Sequence, residues 1–334
     1  MDLRQGLYQC AAALALDSAR TSQLERCAGL GQAPPALARR VAQGLAVMAA
    51  ALVGLGLVFW VAAHWADLGR AGRFALLQGT LAVMALGGLL RPVARVPLSL
   101  LVMLLSGALL AYFGQTYQTG ADAWLLFALW AALLLPLALG LRSDVLWAPW
   151  ALVAMTAVAL WLQTHTGHSW RAAPQDLPAH VAGWTLALAV TALLGPPLRA
   201  RTGAGVWAWR TTLTLTVVMV SAGALGGLFH AQVAGHFGLG LLVLAGLATL
   251  LALGPVGWFD IFGLSAAALG LNTLLVAGLA RWLFDHVGTS GGDPLGRLLL
   301  LGLVAAGLLA ATVTVILRLH RRHGPAAPEA VAPS

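Results

Sequence analysis

From Val41 onward, apolar runs of about twenty residues follow one another with almost nothing polar between them. A helix rises 1.5 Å per residue, so about 20 apolar residues cross a hydrocarbon core roughly 30 Å thick. Runs of that length fall near residues 41–65, 74–90, 96–114, 122–141, 145–163, 178–198, 211–230, 237–254, 261–284 and 297–318. The expected fold class is therefore all-α, a polytopic transmembrane bundle of about ten spans. Composition excludes the water-soluble alternative. Only 9% of the 334 residues are charged and 60% are hydrophobic, whereas a soluble domain carries about 25% charged residues. Lipid must be the solvent of this chain.

The net charge of +8 comes wholly from arginine, because the chain contains no lysine. The arginines stand in ones and twos between apolar runs, which is a topology signal and not a nucleic-acid footprint. One set of loops collects Arg4, Arg20, Arg26, Arg39, Arg40, Arg91, Arg95, Arg142, Arg199, Arg201, Arg210, Arg318, Arg321 and Arg322. The other collects only Arg70, Arg73, Arg171, Arg281 and Arg297. The positive-inside rule then places both termini in the cytoplasm with an even number of spans. Tryptophans near span ends, among them Trp65, Trp124, Trp161, Trp207 and Trp282, suit an interfacial belt.

Three segments are expected: a cytoplasmic helical segment at 1–40, a transmembrane domain at 41–320, and a Pro/Ala-rich disordered tail at 321–334. In the first, "SQLE" (Ser22 to Glu25) has capping-box spacing. Asp17 and Glu25 interrupt any signal-peptide core. Cys10 and Cys27 lack the close pairing of a metal or redox motif and read as ordinary thiols.

The polar stretch "GQTYQTGAD" (Gly114 to Asp122) interrupts two long apolar runs. A single helix over 96–141 would be roughly 69 Å long, over twice the hydrocarbon thickness, so the chain must reverse here. Gly120 suits a positive-φ turn and Asp122 is placed to cap the next helix. Gln115, Thr116, Tyr117 and Gln118 supply more hydrogen-bonding groups than a turn requires. Together with Asp122 they form a candidate polar pocket.

"GLGLVFWVAAHWADLGRAGRFALLQ" (Gly54 to Gln78) and "GQTYQTGADAWLLFALWAALLLPLALGLRS" (Gly114 to Ser143) resemble the bacterial membrane proteins of domain of unknown function 2157. Proteins of that family have an N-terminal helical segment, a first span ending in a "VAANW"-like motif, and a Gln/Tyr/Thr/Gly/Asp turn before a tryptophan-rich span. The similarity covers roughly residues 1–160. His64 stands where the family motif has asparagine, which makes it a candidate polar position. The resemblance implies a bacterial inner-membrane protein and brings with it no activity, cofactor or catalytic residue.

Most histidines fall on the extracytoplasmic side of this topology: His64, His165, His168, His180, His230, His236 and His286. Asp67, Asp122, Asp176, Asp285 and Asp293 join them. His and Asp are metal-ligand types, but no ligand motif such as HExxH occurs. Interfacial placement is the preferred reading, with a metal or proton-relay cluster as its alternative. Gln78, Asn272 and Thr273 are the polar groups within spans, and interhelical hydrogen bonds account for them. Gly223, Gly226 and Gly227 mark close helix packing. No phosphate loop or nucleophile elbow is present.

The expected function is a permease-like protein for a small solute or lipid. The alternative is a membrane scaffold or envelope-stress component acting through residues 1–40. A membrane enzyme with an extracytoplasmic His/Asp site ranks third. No cofactor, metal or catalytic residue is assigned. The expected partners are the lipid bilayer, a small-molecule substrate and a protein docked on the N-terminal segment, with nucleic acid excluded.

Overall fold

The computed structural model describes residues 3–29, 37–64, 69–117, 120, 122–167, 170–230, 235–255, 258–285 and 294–323. The described residues are helical with turns and short connections, and no strand occurs among them. Two units emerge, Met1–Met48 with Gly324–Ser334, and Ala49–His323.

The first unit contains a helical hairpin, α1 (Leu3–Ala13) and α2 (Ser18–Cys27), and the start of α3 (Leu37–Ala63). The Asp17 side chain caps α2, accepting from Arg20 N at 2.7 Å. That corrects the capping-box expectation. Ser22 lies inside α2 and donates to the Ala19 carbonyl, and Glu25 instead accepts from the Tyr8 hydroxyl of α1. Helix starts follow whichever side chain reaches the free N–H groups first, and Asp17 lies one turn earlier. Cys10 and Cys27 are free and exposed.

In the second unit the remaining helices follow: α4 (Arg70–Leu90), α5 (Arg95–Tyr117), α6 (Ala123–Leu141), α7 (Asp144–His165), α8 (Leu177–Leu193), the short α9 (Arg199–Thr202), α10 (Val206–Leu228), α11 (Gly235–Leu253), α12 (Ile261–Asp285) and α13 (Pro294–His323). Among the described residues nine helical segments are long and apolar enough to cross a membrane. A shorter apolar stretch, Val41–Leu57 within α3, stands beside them. The expected second span is longer than its apolar run, because α4 begins at Arg70 and carries both Arg70 and Arg73 in its first turn.

Helix α10 is the core element, packed against α7, α8, α11 and α12. Ala208, Thr212, Thr216, Val220 and Ala224 recur every fourth residue and are wholly buried. This row of small and β-branched side chains is an i±4 ridge of the kind that seats in a neighbouring groove. Thr216 is bonded across to Thr191 of α8 at 2.9 Å. By contrast, large apolar residues of α4 and α13 point outward, with Leu89 70% and Leu303 73% exposed. Surfaces of that kind are stable only in lipid.

One end of the bundle is locked by Asp144, at the start of α7. Its carboxylate accepts from the backbone N–H groups of Gly205 (3.0 Å), Trp207 (2.9 Å) and Ala208 (3.0 Å), which form the N-terminus of α10. Buried Trp147 donates its indole N–H to the Thr202 carbonyl at 2.9 Å. Arg142 takes a left-handed conformation at the end of α6 and donates to the Ala200 carbonyl. Nearby, Asp260 pairs with Arg210 of α10 and accepts from Gly263 N at 2.9 Å, so it caps α12.

Candidate functional site

The opposite end, where α7 and α10 finish and α8 and α11 begin, gathers the polar side chains. Its construction depends on the last two turns of α10. A Cβ at Gly223 would lie 2.8 Å from the His180 ring and 2.9 Å from that of Trp184. One at Gly226 would lie 2.6 Å from the Trp170 carbonyl, and one at Gly227 2.6 Å from His236 Cβ. These glycines therefore do more than let helices pack. They admit two histidines and a loop against the helix surface.

His180 and His236 meet there edge to face, with ring centroids 4.6 Å apart. His180 is 6% exposed and His236 is fully buried. His180 Nδ1 lies 3.0 Å from the Asp176 carbonyl, and since a carbonyl can only accept, Nδ1 is the donor. The Asp176 backbone also faces His236, but among the described residues neither ring nitrogen of His236 meets the geometry of a hydrogen bond. A buried imidazole left in that state costs stability.

Two cavities flank Thr166 at this end. A groove of about 560 Å³ runs between α7, α8 and α10, walled by Leu152, Met155, Ala159, Leu215, Met219 and Ala222. Its polar end is made by Gln163, Thr166, Trp170 and His180. Leu152 and Val218 on its rim are 50% and 57% exposed, so the groove opens on the lipid-facing surface. Beyond Thr166, which lines both spaces, lies a vestibule of about 490 Å³ lined by His165, Arg171, Gln175, Asp176 and His230. Trp170 stacks on Phe229 at 5.8 Å beside it. Arg281 braces the far side, donating to the His230 carbonyl and to Asp285, each at 3.0 Å. Among the described residues no three His, Cys, Asp or Glu side chains come together as a metal site.

The sequence-predicted pocket residues lie elsewhere. Gln115, Thr116 and Tyr117 form the last turn of α5, with Gln115 and Tyr117 exposed and Thr116 half-buried. Gln118 and Thr119 lie outside the described residues. Gly120 has the expected positive φ of 62°. Asp122 occupies the cap position of α6, but only its backbone carbonyl bonds, to Leu125 N at 3.0 Å, and its side chain makes no capping bond. His64 is exposed just after α3, stacked on Trp60 at 4.6 Å with Nδ1 3.0 Å from the Trp60 carbonyl. His165 repeats that arrangement on Trp161, which suits amphipathic rings at an interface. His168, His286, Asp67 and Asp293 lie outside the described residues.

Residues 11–147 match the family described as predicted membrane protein, DUF2157. The match contains His64, the α5–α6 turn and the start of α7, in agreement with the resemblance carried by those motifs. It ends before the groove, the vestibule and the histidine pair, so the DUF2157 region is distinct from the chemistry gathered at residues 163–236. Comparison with curated proteins and with solved structures yields no match. Sequence reading missed the convergence of His180 and His236. The available signal was the Gly223/Gly226/Gly227 spacing, which marks a close approach without saying what approaches.

Proposed function

We propose that this membrane protein is a permease-like lipid handler, which binds one amphiphile with its chain in the α7–α8–α10 groove and its polar end at Thr166 and His180. The observation that carries the reading is the groove itself: largely apolar walls, a lateral opening toward lipid, and polar groups concentrated at one end, since Thr156 near the other end donates its hydroxyl to the Leu152 carbonyl of its own helix. Along α7 it extends from Leu152 to Thr166, about 21 Å at 1.5 Å per residue. Ligand sites of this kind are concave, mostly apolar and carry a few convergent polar groups. In the arginine-derived topology both termini are cytoplasmic, residues 1–40 form the cytoplasmic segment, and the vestibule opens on the extracytoplasmic side of a bacterial inner membrane.

A fluorescent-lipid bleaching assay in proteoliposomes tests the reading. The wild-type chain should accelerate exchange of labelled lipid between leaflets, and Ala222→Trp, which fills the groove from its wall, should abolish the acceleration. Equal rates with and without protein would overturn the lipid-handling role.

A second reading keeps the polar mouth at Gln115, Thr116, Tyr117, Gln118 and Asp122. It is favoured by the aromatic cluster beside that turn, where Phe74 lies 4.7 Å from Tyr112 and 6.1 Å from Tyr117. Gln118→Ala should then impair substrate movement as strongly as Ala222→Trp, and an unchanged rate would remove this reading.

A further inference from the structure

The groove holds hydrogen-bonding groups but no fixed charge. Among the described residues that line it none is Asp, Glu or Arg, and His180 is the one titratable group. Arg171 and Asp176 line the vestibule instead. A headgroup with a formal charge would therefore enter the groove without a carboxylate or guanidinium to pair with, against largely apolar walls, which is unfavourable. The direction of the hydrogen bonds narrows the choice further. The Thr166 hydroxyl donates to the Leu162 carbonyl at 2.9 Å, so toward the groove it presents lone pairs and can only accept. Gln163 stands three positions earlier, on the same helix face, and its exposed amide offers two N–H donors. His180 is tied at Nδ1 to the Asp176 carbonyl, and the ring edge with Nε2 and Cδ2 faces Gly223 on the groove wall.

We infer that the groove takes a neutral lipid with a free hydroxyl, of the diacylglycerol class. Its O–H donates to Thr166, its oxygen accepts from Gln163, and one acyl chain runs along the walls. This assignment rests on the amphiphile reading above and adds the headgroup. A hydroxyl both donates and accepts, so it satisfies the two side chains at once. An ether in its place has no hydrogen for Thr166. A phosphodiester has none either, and it brings a charge that the groove walls do not neutralise. Discrimination thus comes from an unmade hydrogen bond against one competitor and from that bond plus desolvation against the other.

Native mass spectrometry of the full chain in detergent tests the assignment, with dioleoylglycerol, its methyl ether, phosphatidylmethanol and phosphatidylethanolamine of the same acyl chains as probes. Wild-type protein should retain dioleoylglycerol several-fold better than the other three, a comparison that needs no variant. Thr166→Val keeps the branched shape and removes the acceptor, while the Leu162 carbonyl still accepts from the backbone N–H of residue 166. It should lower dioleoylglycerol retention about fivefold, the worth of one neutral hydrogen bond, and leave the methyl ether unchanged. Equal retention of alcohol and ether, an equal loss of all four lipids in Thr166→Val, or a preference for either phospholipid would overturn the headgroup assignment. The groove reading then stands if Ala222→Trp blocks every probe. If Ala222→Trp binds them as the wild type does, both fall.

Discussion

At the scale of single residues, Asp144 and His236 show opposite uses of a buried polar group. Asp144 satisfies three N–H groups at the start of α10 that no helical carbonyl can reach. Asp144→Ala should cost about 2 kcal/mol, the upper range for losing a cap, read as a lower unfolding temperature in detergent. A change below about 0.5 kcal/mol would mean the N–H groups find other partners. His236 is the reverse case, fully buried with neither ring nitrogen in hydrogen-bond geometry among the described residues. Replacing such a group by an apolar one of similar size removes a desolvation cost. His236→Leu should therefore leave the unfolding temperature unchanged or raise it, whereas lipid retention in the groove should fall. A clear drop in unfolding temperature would show that the ring is bonded in the folded state. The sequence exposed neither role. Asp144 reads as an ordinary first-turn acid of its own helix, because the N–H groups it serves lie some sixty positions away.

Among the elements, α10 sets the architecture through what it lacks. Its fourfold row of Ala, Thr and Val fills the centre of the bundle, and its terminal glycines make room for His180, the Trp170 carbonyl and His236. Gly226→Leu would drive a side chain into backbone, which cannot yield as a side-chain tip can. It should abolish folded protein in size-exclusion chromatography, while Gly246→Leu, with open space around its Cα, should be tolerated. Survival of the Gly226 variant would place the 170–172 segment away from α10. Asn272 and Thr312 join α12 to α13 by paired side-chain bonds of 3.0 and 3.3 Å. A double-mutant cycle of Asn272→Leu and Thr312→Val should yield a coupling of about 0.6 kcal/mol, the usual worth of such a bond between membrane helices. That bond was expected for Asn272. Thr273 bonds its own helix instead, at the Leu269 carbonyl, as β-hydroxyl residues in helices commonly do.

For the whole molecule, exposed Leu and Val along α4 and α13 leave lipid as the only compatible surroundings. The proposed topology has a direct check, since Cys10 and Cys27 are the chain's two cysteines and both are exposed. A membrane-impermeant maleimide should label neither in intact cells and both after permeabilisation. Labelling in intact cells would invert the assignment. The approximate positions of the spans and the reversal at Gly120, though not the caps, were legible in the residue order, because they follow from local quantities: apolar length against bilayer thickness, and backbone freedom at one glycine. The groove, the vestibule and the histidine pair were not. They are assembled from α7, α8, α10 and α11 by side chains far apart in the chain, and apolar periodicity in lipid carries little information about which faces meet. Where every face of a helix is apolar, hydropathy no longer distinguishes inside from outside. Only close packing against specific neighbours decides it, and here glycines at three positions of one helix decided where the polar groups could gather.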